Sequence, residues 1–286
     1  MTVNYIVPKK DFKNNIRKLN LGSISVGGYN SLPFMHSESN ISNKPLVAIE
    51  IYLNVPVNYP EILLNTWGNN IYNPVKWAIT ASNTGADALV IRFNIKEDED
   101  INLEINKSKN ILREITALVN IPIIITGTNR QEYDVKLIPE LAKATNTGLT
   151  FGIIDEDNYK SIIPALIENG HNVIARTPID INLAKELNIL ISEMGFDPNK
   201  IIIDPNMGAL GYGIDYAYSV IERIKLAALQ GDNMLNMPII TFVGEETWKT
   251  KEAKSDNVPD EWGNKQTRAV SWECITASSI VLAGAD

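Results

Sequence analysis

One cysteine, Cys274, and two histidines, His36 and His171, are all that this chain of 286 residues offers a disulfide or a soft-metal site. A single thiol has no partner for an intramolecular bridge and cannot hold an iron–sulfur cluster through cysteines. Two histidines so far apart make no His-rich zinc site. Cys274 falls in a helical pattern and is expected as a small core residue. His36 lies in an N-terminal loop, and His171, just before a strand, is expected to be structural. Basic charge is also short: the formal net charge is −8, and no Lys/Arg cluster interrupts it, which argues against a nucleic-acid surface. No apolar run reaches membrane-spanning length and no signal-peptide pattern opens the chain, so a cytoplasmic location is expected. The G-x-S-x-G elbow and the P-loop lysine motif are both missing. Lysines are scarce at strand ends, which leaves a Schiff-base reaction without a nucleophile.

What is present is strongest at residues 201–231. Ile201, Ile202 and Ile203 are β-branched and leave no polar face, so this strand is covered on both sides, as in a parallel sheet or barrel. Pro205 ends it, because proline has no N–H for a ladder. Gly208, Gly211 and Gly213 let the backbone turn tightly or approach a ligand. Ile214, Ala217, Tyr218, Ile221, Ile224 and Ala228 then recur at helical spacing up to Gly231, a helix-ending glycine. Strand, glycine-rich loop and helix follow one another directly, with any chemistry on the loop.

The same rhythm runs through the chain. Strands are expected at 46–53 (LVAIEIYL), 88–93 (ALVIRF), 122–126, 149–154, 173–175, 201–203 and 238–243, with helices between them. Asn73 and Pro74 read as the N-cap and first turn of a helix reaching Gly85, and a last helix covers 266–282. Short turns between alternating elements imply parallel pairing. No glycine fingerprint follows the first strand, so an α/β, TIM-type (β/α) barrel is expected rather than a dinucleotide-binding sheet. Its closing strand is expected to be missing after Ala283-Gly284-Ala285-Asp286, whether truncated or supplied elsewhere. Residues 1–44 read as an N-terminal extension packing on the barrel and 45–286 as the barrel itself. The acidic run 97–100 is expected as a solvated loop, and 244–265 as a lid or a rim excursion packed by Trp248 and Trp262.

In a barrel, polar residues at the strand ends share one mouth. Here they are Asn54, Asn94, Thr126, Asp155, Arg176, Thr177, Asp204 and Asn206, a set able to hydrogen-bond a small planar ligand. Arg176 and Asp204, from adjacent strands, read equally as a buried ion pair or as ligand contacts. Glu245 and Glu246 could act as acid and base, although adjacent acids usually mark a solvated face. No autonomous catalytic set emerges, which points to a chain that holds or covers a cofactor whose chemistry is not its own.

The segments NVIARTPIDINLAKELNILISEMGF, IIIDPNMGALGYGIDYAYSVIERIKLAALQGDNMLNMPII and GEETWKTKEAK resemble the small subunit of the corrinoid iron–sulfur protein. That subunit is also called the delta subunit of the acetyl-CoA decarbonylase/synthase complex. Val26-Gly27-Gly28, Leu32-Pro33-Phe34 and Asn158-Tyr159-Lys160-Ser161 are similar as well. The resemblance implies a barrel paired with a large subunit that bears the iron–sulfur cluster and a corrinoid domain, the cobalamin lying between the two. It further implies methyl transfer from a methyl-tetrahydropterin through the cobalt to acetyl-CoA synthase, as in the reductive acetyl-CoA pathway and methanogenesis. The methyltransferase and the synthase would be transient partners. On that implication, a mouth of neutral hydrogen-bonding groups covers the corrinoid, and the chain has no turnover of its own. Arg176, Thr177, Asp204, Asn206 and Tyr212 would lie nearest the corrin, with Gly208, Gly211 and Gly213 permitting close approach. Two alternatives remain: a pterin-dependent methyltransferase using Asn94, Asp155 or Asp204, and a purely architectural subunit.

Overall fold

The computed structural model describes residues 12–35, 43–95, 100–145 and 148–286. His36 and residues 97–99 of the acidic run lie outside them; Asp100 is described and caps a helix.

A short antiparallel hairpin comes first, β1 (Leu19–Leu21) and β2 (Ile24–Val26). The main sheet has six parallel strands in the order of the chain: β3 (Ala48–Tyr52), β4 (Ala88–Arg92), β5 (Ile123–Thr126), β6 (Thr150–Ile154), β7 (Asn172–Arg176) and β8 (Ile201–Asp204). Sequential order without reversal is what repeated strand–helix units build when each new strand is added to the same edge. The crossovers are helical: α1 (Glu61–Trp67) and α2 (Pro74–Ser82), then α3 (Ile101–Leu118), α4 (Gln131–Lys143), α5 (Tyr159–Glu168) and α6 (Ile181–Glu193). Helix α7 (Ile214–Gln230) follows β8. Asn73 caps α2 by accepting from the Lys76 N–H at 3.0 Å, and the Asp100 and Asp180 carboxylates cap α3 and α6. The short helix α1 carries no strong apolar period, and the sequence did not announce it.

Side chains alternate across each strand, so the sheet separates two cores. The three isoleucines of β8 show it: Ile201 and Ile203 pack outward among the helices, while Ile202 points inward with Val90, Ile124 and Ile174. Burying each such side chain is worth about 1.5–3 kcal/mol, and with one on each face the strand requires cover on both. Leu19, Leu21 and Val26 of the hairpin join the inner cluster. They do so at the end where the strands begin, since the Asn172 amide of β7 donates to the Asn20 carbonyl at 3.3 Å.

The expected strand at 238–243 is reduced to a parallel bridge, Ile203 to Ile239. Its backbone pairs with β8 through Ile203 N–H to Pro238 O and Ile240 N–H to Ile203 O, both 2.9 Å, and by Val243 the chain has turned into helix α8 (Val243–Thr247). Among the described residues, strand pairing does not close the ring. Asp286 alone spans the gap at its lower end, donating to Ile239 O at 2.9 Å and accepting from Leu46 N–H at 2.8 Å. Above it a groove of about 750 Å³ separates β3 from the 238–242 segment. Beyond α8 come α9 (Lys251–Lys254) and α10 (Lys265–Ala283). Cys274 is exposed on α10, contrary to the core position expected: this helix carries apolar residues on its outer face as well, so its pattern does not say which side is buried.

Candidate functional site

The strand ends converge on a layer of charge. Arg92, the last residue of β4, donates its Nε to Glu50 at 2.7 Å and its Nη2 to Glu245 at 2.8 Å. Across the ring, Arg176 at the end of β7 donates to Asp204 at the end of β8 at 2.5 Å, and its Nη2 lies 4.0 Å from Glu245. The Phe242 ring stands between the two guanidiniums, 5.7 Å from Arg92 and 4.8 Å from Arg176. The mouth is therefore lined by ion pairs. This corrects the expectation of a neutral hydrogen-bonding mouth.

Burial shapes the titration of this layer. It pushes the Glu50 carboxyl up, with Arg92 pulling the other way, and it raises fully buried Asp204 against the pull of Arg176. Burial also works against ionisation of Glu245, but Arg92, Lys249 and Arg176 together outweigh it and hold this group below the usual carboxylate range. Glu246 meets exposed Lys249 at 2.7 Å, whereas Glu245 turns inward. The solvated-face reading of the two adjacent acids thus fails for Glu245, and Glu246 is itself partly covered.

The polar ring expected at the strand ends is largely engaged with itself. Asn54 and Asn94 exchange three bonds of 2.6 to 2.9 Å between side chain and backbone. Asp155 accepts from the N–H groups of Asp157 and Asn158 in its own turn. Thr126 and Thr177 are buried, and among the described residues neither hydroxyl finds a partner. Asn206 takes a left-handed backbone, φ 57°, and its side-chain oxygen accepts from Met207 N–H at 2.9 Å.

The glycine loop forms the rim. A Cβ on Gly208 would stand 2.1 Å from the Tyr212 carbonyl oxygen, so this glycine is required by the loop's own fold. Gly211 and Gly213 have φ of 78° and 95°, conformations that favour glycine. The loop is tied to α10 by Leu210 N–H to Thr276 Oγ1 at 3.2 Å and by Trp272 Nε1 to Leu210 O at 3.0 Å. Tyr212 and Tyr216 remain 52% and 69% exposed beside it. Of the predicted residues, Arg176, Thr177, Asp204 and Asn206 thus gather at the ends of β7 and β8. Gly208, Gly211, Tyr212 and Gly213 make the rim above α7.

Glu50, Arg92 and Phe242 were not singled out from sequence. The signal was there for two of them: a charge inside LVAIEIYL and another inside ALVIRF, each in an otherwise apolar strand. Glu273 of α10 was also missed; burial pushes its carboxyl up, and it accepts from Trp248 Nε1 at 3.0 Å. Trp248 therefore packs on the rim as expected, while Trp262 is 42% exposed. His171 is fully buried, with Nε2 3.0 Å from the Ala142 carbonyl, which fits its structural reading. No group of three or more His, Cys, Asp or Glu among the described residues is placed to hold a metal, and none of the described helices is long and apolar enough to cross a membrane.

A parallel sheet wound in chain order, with helices outside and polar strand ends at one mouth, defines an α/β protein of the TIM-barrel kind. The solved structure of dihydropteroate synthase from Xanthomonas albilineans has this fold: TM-score 0.55 at 12% identity, covering 94% of this chain and 90% of that one. Residues 21–282 match the profile of the CO dehydrogenase/acetyl-CoA synthase delta subunit, and the chain belongs to that family. It is similar to the acetyl-CoA decarbonylase/synthase complex subunit delta of Methanopyrus kandleri, 30% identical over 247 residues, which is 85% of this chain and 61% of that protein. The subunit of the same name from Archaeoglobus fulgidus is 28% identical over 97% of this chain and 65% of its own length. The chain thus spans somewhat under two thirds of the length of these relatives.

Proposed function

We propose that this chain is an accessory subunit that covers a corrinoid held by a larger, iron–sulfur-bearing partner and has no turnover of its own. The corrinoid's cobalt, when bound, carries a methyl group from a methyl-tetrahydropterin toward acetyl-CoA synthase. Family membership supports a place in a multi-subunit complex. The observation that carries the reading is the division between mouth and rim. Below the rim, Arg176 and Asp204 are committed to each other and Arg92 to Glu50 and Glu245, so these charges already have partners within the chain. Above it, exposed Tyr212 and Tyr216 flank the glycine turn, with exposed Asp215 between them.

A broad, planar macrocycle fits such a rim and does not fit the interior. Asn206, Gly211, Tyr212 and Gly213 would then line the corrinoid, with amides and phenols against its edge. Arg176, Thr177 and Asp204 would hold the loop's footing from beneath. Such a rim keeps water from the face it covers, which protects a low-valent metal. The pterin-dependent methyltransferase reading is weaker, because Asn94, Asp155 and Asp204 are each engaged within the chain.

Co-expression with the corrinoid-bearing large subunit tests this. A tight heterodimer with a corrin absorption spectrum is expected, and Tyr212→Ala with Tyr216→Ala should change that spectrum or loosen the pair while the chain stays folded. A double variant that leaves both unchanged would reduce the chain to architecture. Methyl transfer by the isolated chain would restore the enzyme reading.

A further inference from the structure

Helix α10 carries two attachments on one ridge, because Arg268, Trp272 and Thr276 follow one another at intervals of four. Arg268, 8% exposed, donates its guanidinium N–H groups to three backbone carbonyls of the excursion 251–264: Glu252 at 2.6 Å, Ser255 at 2.7 Å and Gly263 at 2.9 Å. One and two turns on, Trp272 and Thr276 hold the rim loop by the carbonyl and the N–H of Leu210. Thr276 gives its own proton to Trp272 O at 2.7 Å, which leaves its oxygen as the acceptor for Leu210. The two attached segments also meet each other. Lys251 N–H, in the first turn of α9, donates to the Tyr212 phenol oxygen at 3.3 Å. Helix, excursion and rim loop thus close a circuit. The excursion has little else to hold it: Ala253 is the only apolar side chain of 251–264 that is fully buried. Its ion pair with Lys265 uses Asp256, which is 82% exposed, and a surface pair of this kind contributes little.

We propose that residues 251–264 are a strap that sets the position of the rim, with Arg268 as its anchor and the Tyr212 phenol as the link through which strap and glycine loop move together. Arg268 is a positioning residue in this device, since it acts on the rim only through the strap. A guanidinium offers five donors in a rigid fork and so satisfies three carbonyls from one place, which an ammonium on a flexible stem does not. Loss of the anchor frees the carbonyls of Glu252, Ser255 and Gly263, and the strap opens locally while the barrel stays folded. Lys251 then no longer holds the Tyr212 ring, and the loop from Gly208 to Gly213 keeps only its tie at Leu210. Coupling of this kind is reciprocal, so whatever seats on Tyr212 changes the freedom of the strap in return. The coupling is a property of this chain alone; its use, as regulation of what the rim covers, rests on the corrinoid reading.

Hydrogen exchange read by mass spectrometry on the full chain tests it. Arg268→Gln should speed exchange across 252–263 and also across 208–213, the latter by about threefold to tenfold, as for the loss of one hydrogen bond. Helix α4 should be unchanged. Arg268→Lys keeps the charge but reaches fewer carbonyls, so it should give the same pattern more weakly, and it decides the matter if the glutamine variant does not fold. Tyr212→Phe removes the link alone. Arg268→Gln added to it should loosen the strap and leave 208–213 at the rate that Tyr212→Phe set. An unchanged strap overturns the proposal, as does a loosened strap with 208–213 unchanged, a rise that α4 shares, or a response of 208–213 that persists beside Tyr212→Phe. In the heterodimer, a corrin spectrum indifferent to every rim variant would refute the cover and leave the coupling standing.

Discussion

Replacing Asp204 by leucine is the sharpest test of whether the strand-end charges are architecture. Asp204 is 1% exposed and the Arg176 side chain 19%, and they meet at 2.5 Å. Without Asp204, the guanidinium keeps only Glu245, at 4.0 Å. Leaving one member of a buried pair unmatched costs about 3–5 kcal/mol. Arg176→Met should cost at least as much, since the abandoned carboxylate is the more deeply buried partner and keeps only the Asn206 N–H at 3.0 Å. The double variant removes both charges and fills the space with apolar atoms, so it should return to within about 1 kcal/mol of wild type. The coupling energy from this cycle is therefore about 5 kcal/mol or more. Urea denaturation followed by far-ultraviolet circular dichroism measures all four forms, with equal slopes required before the free energies are compared. Single variants that each lose less than about 1 kcal/mol would mean that water reaches the pair as it reaches a surface bridge. The mouth would then be open, and the argument for a mouth lined by buried ion pairs would fail.

Gly208→Ala should destabilise by about 1–3 kcal/mol through overpacking, because the added carbon meets the Tyr212 carbonyl oxygen at 2.1 Å and backbone cannot yield cheaply; an unchanged melting temperature would refute the loop packing. Burial holds His171 below its ordinary value of 6.5. The unfolded chain therefore takes up a proton that the fold refuses, so this contribution is full above about pH 6.5 and is lost as pH falls toward the folded value. Denaturation at stepped pH should show that decline, and His171→Leu should remove its share of the slope; equal slopes would show that the ring is not buried neutral. Asp100 accepts from the N–H groups of Asn102 and Leu103, so Asp100→Ala should cost about 1 kcal/mol by loss of the α3 cap, read from the same denaturation curves.

Much of the fold was legible because it rests on local periodicity. Three isoleucines in succession announce a strand covered on both faces, and Ile202 inside with Ile201 and Ile203 outside is that reading realised. Asn73 and Gly231 mark helix ends by chemistry that acts over three or four residues. The reading failed where local pattern was weak or ambiguous. The segment at 238–243 is as apolar as any strand, yet only Ile239 pairs as one, because Val243 already begins a helix. Cys274 sits on a helix with apolar residues on both sides, so no moment pointed it outward.

By itself, the sequence determined the order and kind of six parallel strands and most of the helices between them, the mouth at which polar strand ends gather, and the family, since each follows from neighbours along the chain or from long matching segments. Only the tertiary structure decided which charges meet. Arg92 finds Glu50 from 42 residues away and Glu245 from 153, distances over which no periodicity carries information. The curling of the sheet brings them together. It also turns Glu245 toward the two arginines while Glu246 meets Lys249, so two identical neighbours in the chain find different partners.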